Sequence, residues 1–199
     1  MPDARANADH AGFDPELRID WLEAARLAGE GRGNLGLTIL PGKHGTSYRY
    51  PGRVYQRDLE ADFEALRAAG VGRLILLVDD AELRHWGDLG IVERGAAAGV
   101  DVVRHPIPDG EPPSSLEVMR RILDDVRAGR VGGNVAVACM GGVGRTGTVA
   151  ACALVAGGMT PAEAIATVRE VRHPTAVETF EQERFVRSFA EAVRKRHRQ

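Results

Sequence analysis

The sequence predicts an α/β protein, a single domain in which a mainly parallel central sheet carries helices on both faces. Three observations predict it. Short apolar runs at Leu37–Leu40, Arg73–Val78 and Val135–Ala138 read as strands buried on both sides. Segments with helical spacing and their own start and stop signals separate those runs, and strands that alternate with helices pair in parallel under two helical layers. At 199 residues and 44% hydrophobic, the chain can bury one substantial core, whereas two full domains would leave each half small.

Taken in order, residues 1–14 are polar and are expected to be loosely ordered, so the domain spans residues 15–199. Ile19–Leu27 mixes strand and helix signals before the first clear strand at Leu37–Leu40. Pro41–Pro51, rich in Gly, Lys, His and Ser, reads as a solvated loop, although Lys43 and His44 are placed where they could meet an anion. Asp58–Ala69 has a cap, acids in its first turn, apolar residues at helical spacing and Gly70 as terminator, which predicts a helix. The strand over Arg73–Val78 ends at Asp79-Asp80, whose carboxylates serve as turn and cap groups.

Val92–Gly99 then reads as a helix, followed by a strand ending at Arg104. Ser114-Ser115-Leu116-Glu117 has the spacing of a capping box and opens a helix to about Ala128, with Gly129–Gly133 turning into the strand before Cys139. Thr160-Pro161-Ala162-Glu163 caps a further helix that ends near Arg172. The last helix runs from Phe180 toward Arg196, and its cationic end suits the negative pole of the helix dipole.

The chemistry concentrates in Cys139-Met140-Gly141-Gly142-Val143-Gly144-Arg145-Thr146, between the strand Val135–Ala138 and a small-residue helix beginning near Val149. Unpaired backbone N–H groups and the positive end of a helix dipole face such a loop, and glycines let the backbone approach a ligand's oxygens. A phosphate-sized anion fits there. The same field and a nearby guanidinium favour thiolate over thiol at Cys139, and Arg145 supplies a planar fork matched to two phosphate oxygens. A nucleotide-binding P-loop falls far behind this reading, because it requires Gly-Lys-Ser/Thr where this chain has Gly144-Arg145-Thr146.

The spacing Cys-x5-Arg-Thr resembles the active-site loop of cysteine-dependent protein tyrosine and dual-specificity phosphatases. With Leu37–Lys43, Pro106–Gly110 and Glu178–Glu183, the chain most resembles the small dual-specificity branch typified by the kinase-associated phosphatase, cyclin-dependent kinase inhibitor 3. That resemblance implies a phosphatase-like fold and a phosphoprotein or phosphopeptide substrate. It also implies hydrolysis of phosphate monoesters through a phosphocysteine on Cys139, with phosphate held by Arg145 and the amides of Met140, Gly141, Gly142, Val143, Gly144 and Arg145.

Asp109, in the proline-stiffened Pro106-Ile107-Pro108-Asp109-Gly110, is the expected general acid on a mobile loop, with Glu111 the weaker rival. Thr146 reads as a helix cap, and the resemblance adds a hydrogen bond to the departing sulfur. Gln182 completes the capping-box spacing Thr179-x-x-Gln182, and the resemblance places it beside the hydrolytic water.

One departure from the family pattern stands out. The residue before the nucleophile is usually histidine in these enzymes, and here it is Ala138. This keeps two other readings open: a catalytically weak phosphate-binding module, and a thiol-based oxyanion reductase with Cys152 as resolving thiol. For Cys152, core packing is the leading reading. The loop interior carries no lysine, which favours phosphoprotein over polyphosphorylated lipid. A formal net charge of −2 gives no broad attraction to nucleic acid or membrane, no apolar run reaches spanning length, and the N-terminus has no signal-peptide core. A cytoplasmic, reducing address is expected. The six histidines lack ligand spacing, so neither a metal nor another cofactor is expected.

Overall fold

The computed structural model describes residues 16–47 and 52–196; the expectation for residues 1–14 lies outside them. Its main sheet is formed by β1 (Asp20–Leu22), β2 (Leu35–Ile39), β5 (Val71–Leu76), β6 (Asp101–Arg104) and β7 (Asn134–Cys139). Their order across the sheet is β1-β2-β7-β5-β6, and only β1 runs antiparallel to its neighbour. β7 is therefore central, flanked on both sides by parallel partners, so Cys139 leaves the sheet at its most protected strand.

Side-chain alternation along β7 divides the core in two. Val135, Val137 and Cys139 point into one layer with α4 (Leu116–Gly132), α5 (Gly144–Ala156), α6 (Pro161–Val171) and α7 (Phe180–Arg196). Ala136 and Ala138 point into the other, against α1 (Leu59–Ala68), α2 (Asp80–Trp86) and α3 (Ile91–Ala97). Leu74, Leu76, Phe63 and Leu66 are essentially inaccessible there. Each such side chain stabilises the fold by about 1.5–3 kcal/mol relative to exposure.

Several sequence expectations are corrected. Pro41–Pro51 is not simply a solvated loop. Within its described part β3 (His44–Thr46) pairs antiparallel with β4 (Val54–Gln56) as a separate small sheet. Lys43 is buried, its Nζ 3.9 Å from the centroid of the Tyr55 ring. Ile19–Leu27 resolves into β1 and a short 3-10 turn at Ala24–Arg26.

The helix predicted from Ser114 is capped by Ser115, whose hydroxyl accepts from the Val118 amide. It continues through Gly129 to Gly132 rather than ending at Ala128. Two contacts override the glycine stop signal. A side chain at Gly129 would place its Cβ 2.6 Å from Val135 Cγ2, so glycine is what lets the helix lie close on the sheet. At the next residue, the buried Arg130 guanidinium donates to the carbonyls of Ala24, Ala28, Gly31 and Gly33.

The short helix α2 was not predicted. Asp79 caps it as expected, in a capping box with Glu82.

Candidate active site

β7 delivers Cys139 to a tight loop that closes at Gly144, the first residue of α5. Gly142 adopts φ 66°, and any Cβ there would lie 2.3 Å from the Thr38 carbonyl oxygen on β2, so only glycine turns the chain at this point. On the outer side, Arg172 donates to the carbonyls of Gly141 (3.3 Å) and Gly142 (2.9 Å). In a trans peptide the carbonyl and the following N–H point oppositely. Fixing those two carbonyls outward therefore turns the N–H groups of Gly142 and Val143 inward, forming a concavity of amide donors of the kind that suits an anion.

Cys139 lies at the base of that concavity, 3% exposed. Burial alone would raise its thiol. The Arg145 charge, the Thr146 hydroxyl and amide and the Val143 amide more than offset burial, and the net direction is below the ordinary thiol range. Thr146 does not cap the helix as expected. Val143 occupies the cap position without a side-chain bond, and the Thr146 hydroxyl is fully buried with no hydrogen-bond partner, close enough to Cys139 to count among the groups that lower its thiol.

Arg145 is 1% exposed. Its fork, expected on phosphate, here grips Glu82 with both terminal nitrogens, at 2.7 Å each. Nη1 also donates to the Ile107 carbonyl (2.9 Å), and Nη2 lies 2.9 Å from Asp109 Oδ1. Burial alone would lower the arginine pKa, but the bond to Glu82 and the charges of Cys139, Glu82 and Asp109 hold it above its ordinary value. The guanidinium's charge thus acts on the Cys139 thiol while its nitrogens are tied to α2 and to the Asp109 loop.

Glu82 is the functional residue that sequence reasoning missed. Its capping-box spacing from Asp79 was available as a signal for the helix. Nothing in the local sequence indicates a partner 63 positions away.

The Asp109 side chain is 82% exposed and stands at the mouth of the concavity. Its loop is held by α7: the Thr179 hydroxyl donates to the Gly110 carbonyl (3.0 Å), and Gln182 Nε2 donates to the Glu111 carbonyl (3.3 Å). Glu111 thus meets α7 through its backbone. Gln182 is fully buried, and its Oε1 accepts from the amides of Glu178 (2.8 Å) and Thr179 (3.4 Å). Its own N–H donates to Thr179 Oγ1 (3.2 Å), closing the expected capping box.

The same side chain borders the loop that follows Cys139, since a Cβ on Gly144 would lie 3.2 Å from it. Val177, the only non-glycine residue with positive φ (60°) among those described, donates its N–H to the Val143 carbonyl (3.3 Å). A β-branched residue in that region is strained, and the strain is located against the loop.

The structure therefore brings Cys139, the loop Met140–Arg145, Thr146, Asp109 and Gln182 together at one end of α5. Met140 packs against the apolar layer beneath the small face of β7, as does Ala138, where the family pattern has histidine. Lys43 sits over Tyr55 rather than in the concavity. Cys152 is wholly buried in the helical core, where desolvation pushes its thiol up, so the arrangement does not prepare it as a resolving thiol. Among the described residues, no group of three or more His, Cys, Asp or Glu could hold a metal ion.

Residues 51–159 match the family model described as "Polymorphic toxin system, DSP-PTPase phosphatase". Cyclin-dependent kinase inhibitor 3 of Rattus norvegicus is 28% identical over 182 residues, covering 89% of this chain and 80% of that protein. The Homo sapiens protein of the same name is 27% identical over 182 residues, with the same coverage. Among solved structures, kinase associated phosphatase with serine in place of its catalytic-site cysteine superposes at TM-score 0.77 and 24% identity, covering 90% of this chain and 97% of that one. The active form of Tk-PTP superposes at TM-score 0.63 and 30% identity, covering 80% of this chain and 92% of that one.

Proposed function

This chain belongs to the DSP-PTPase phosphatase family of polymorphic toxin systems, and on that premise we propose that it hydrolyses phosphoprotein monoesters through a phosphocysteine on Cys139. The observation that carries this reading is the depressed Cys139 thiol facing a guanidinium that also touches Asp109. In the first step the Cys139 thiolate attacks phosphorus. An S–P bond forms, the ester P–O bond breaks, and the Asp109 proton passes to the departing oxygen.

The inward amides of the loop and Arg145 hold the equatorial oxygens, whose charge rises in the transition state. Nη2 of Arg145 exchanges its contact with Asp109 for one with phosphate, while Glu82 keeps the guanidinium in place. In the second step water attacks phosphorus and Asp109 takes its proton. The S–P electron pair returns to sulfur, which the Thr146 hydroxyl stabilises. Gln182, anchored between α7 and the loop, orients that water.

A phosphoprotein substrate is supported by the relatives named cyclin-dependent kinase inhibitor 3 and kinase associated phosphatase, and by the lysine-free loop. A reducing, cytoplasmic setting suits a thiolate nucleophile. No helix among the described residues is long and apolar enough to cross a membrane. The test is pre-steady-state hydrolysis of para-nitrophenyl phosphate. A burst of nitrophenol stoichiometric with enzyme, absent in Cys139→Ser, is expected, and turnover that persists in that variant contradicts the proposal.

A further inference from the structure

One peptide unit of the loop after Cys139 carries two contacts at once. On its outer side the Gly142 carbonyl accepts from Arg172 Nε at 2.9 Å, and on its inner side the Val143 N–H is among the groups that lower the Cys139 thiol. The peptide before it is held alike, its Gly141 carbonyl accepting from Arg172 Nη2 at 3.3 Å. A peptide plane turns as a unit, so a group that fixes the carbonyl also fixes the amide. Gly142 sits at φ 66°, and glycine populates positive and negative φ about equally, so the chain's own preferences do not hold that plane. Arg172 does.

Arg172 is held in turn from the far edge of the sheet. It follows the last residue of α6, and its Nη1 donates to Asp20 Oδ2 at 2.7 Å, with the two side chains 7% and 17% exposed. A guanidinium is a planar fork with fixed angles between its donors, so pinning Nη1 sets the directions of Nε and Nη2. Sheet register places the carboxylate. Asp20 lies opposite Leu37 in the β1–β2 pair, and the Thr38 hydroxyl on β2 donates to the Arg18 carbonyl at 2.8 Å. The second oxygen of Asp20 accepts from Arg18 Nε at 3.1 Å, which leaves the carboxylate little freedom to turn.

Resting on the phosphatase reading above, we infer that Asp20 is a positioning residue for the reaction: it orients Arg172, which keeps the Gly141 and Gly142 carbonyls outward, so that the amides meeting sulfur and scissile phosphate are aligned before substrate arrives. Strand β1 thereby supports the active site, although Asp20 touches neither the sulfur nor the substrate. A carboxamide has nearly the size and shape of a carboxylate but lacks the charge that draws a guanidinium, so Asp20→Asn separates orientation from packing.

The test measures, for wild type and Asp20→Asn, the pH midpoint of Cys139 alkylation by iodoacetate, the Kd of vanadate and kcat/KM on para-nitrophenyl phosphate, with urea denaturation as the check of folding. Loosening one amide hydrogen bond to a thiolate is expected to raise the alkylation midpoint by roughly half to one pH unit. Misaligned amide donors are expected to weaken vanadate binding and lower kcat/KM by roughly tenfold each. Asp20→Glu, which restores the charge on a longer arm, is expected to recover part of these losses. Should Asp20→Asn not fold, Arg172→Lys, which keeps a cation beside Asp20 but has no fork for the two carbonyls, is expected to show the same shifts. A folded variant with the wild-type midpoint and vanadate affinity, whether or not its stability falls, overturns the inference and leaves the phosphatase reading standing, provided the wild type turns over para-nitrophenyl phosphate. Shifted midpoint and vanadate affinity in a protein whose wild type shows no turnover support the positioning role and overturn the phosphatase reading instead.

Discussion

Cys139 and Cys152 bracket the first half of the same helix, and both are almost wholly buried, at 3% and 0% exposure. Their thiols move in opposite directions. At Cys152, among the alanines and valines of α5, burial acts alone and the thiol rises. At Cys139, burial is opposed by a guanidinium, a hydroxyl and two amides, and the thiol falls. Reactivity is therefore set by which fixed charges and dipoles meet the sulfur, rather than by accessibility alone.

The contrast is broken most severely by removing the anionic sulfur itself. Cys139→Ser is expected to lose at least about 10⁴-fold in kcat, because an unactivated hydroxyl replaces the sulfur that attacks in the first step and departs in the second. Stopped-flow release of nitrophenol checks it. Asp109→Asn leaves the thiolate in place and removes the proton donor, so hydrolysis of a phosphothreonine peptide should fall by roughly 10²- to 10⁴-fold. Para-nitrophenyl phosphate, whose leaving group departs without protonation, should lose far less, and equal losses on the two substrates would remove Asp109 from the acid role.

Glu82→Gln releases one side of the guanidinium and tests whether Arg145 must be held. Small misplacements of a binding group cost up to about 10²-fold, and a loss of roughly 10- to 100-fold in kcat/KM is expected. Gln182→Ala should slow the second step by roughly tenfold, on the scale of one general acid–base or orienting contact, and so raise trapped phosphoenzyme at steady state. Acid-quench mass measurement reads that species directly. Cys152→Ala should leave kcat within about twofold and cost only about 1 kcal/mol of stability in urea denaturation, as for a small core truncation. A large loss of activity there would revive a resolving role for the second thiol.

Much of this contrast was legible in the sequence, because the strongest signals are local. The run from Cys139 to Thr146 specifies its own strand, turn and helix, and Asp109 is marked by prolines before it and glycine after it. Local signals misplaced what depends on distant neighbours. Gly129 looked like a stop, yet the absence of a side chain is what lets α4 lie against Val135. Thr146 looked like a cap, yet its hydroxyl is buried without a hydrogen-bond partner, among the groups that lower the Cys139 thiol.

Lys43 looked solvated because β3 and β4 pair across the interval between them, which local composition does not reveal. Glu82 was invisible as a site residue because its partner arrives from another βα unit, through parallel pairing that sequence spacing does not encode. Asp20 and its partner Arg172 stand 152 positions apart, so no motif announces the pair.

The most direct test of the central claim is the pH dependence of alkylation by iodoacetate, read by peptide mass for each cysteine, with and without vanadate. The account predicts that Cys139 reacts with a midpoint below the ordinary thiol value of about 8.5, that vanadate protects it, and that Cys152 stays unmodified while the protein is folded. A Cys139 midpoint at or above that value, with no protection by the anion, would contradict it.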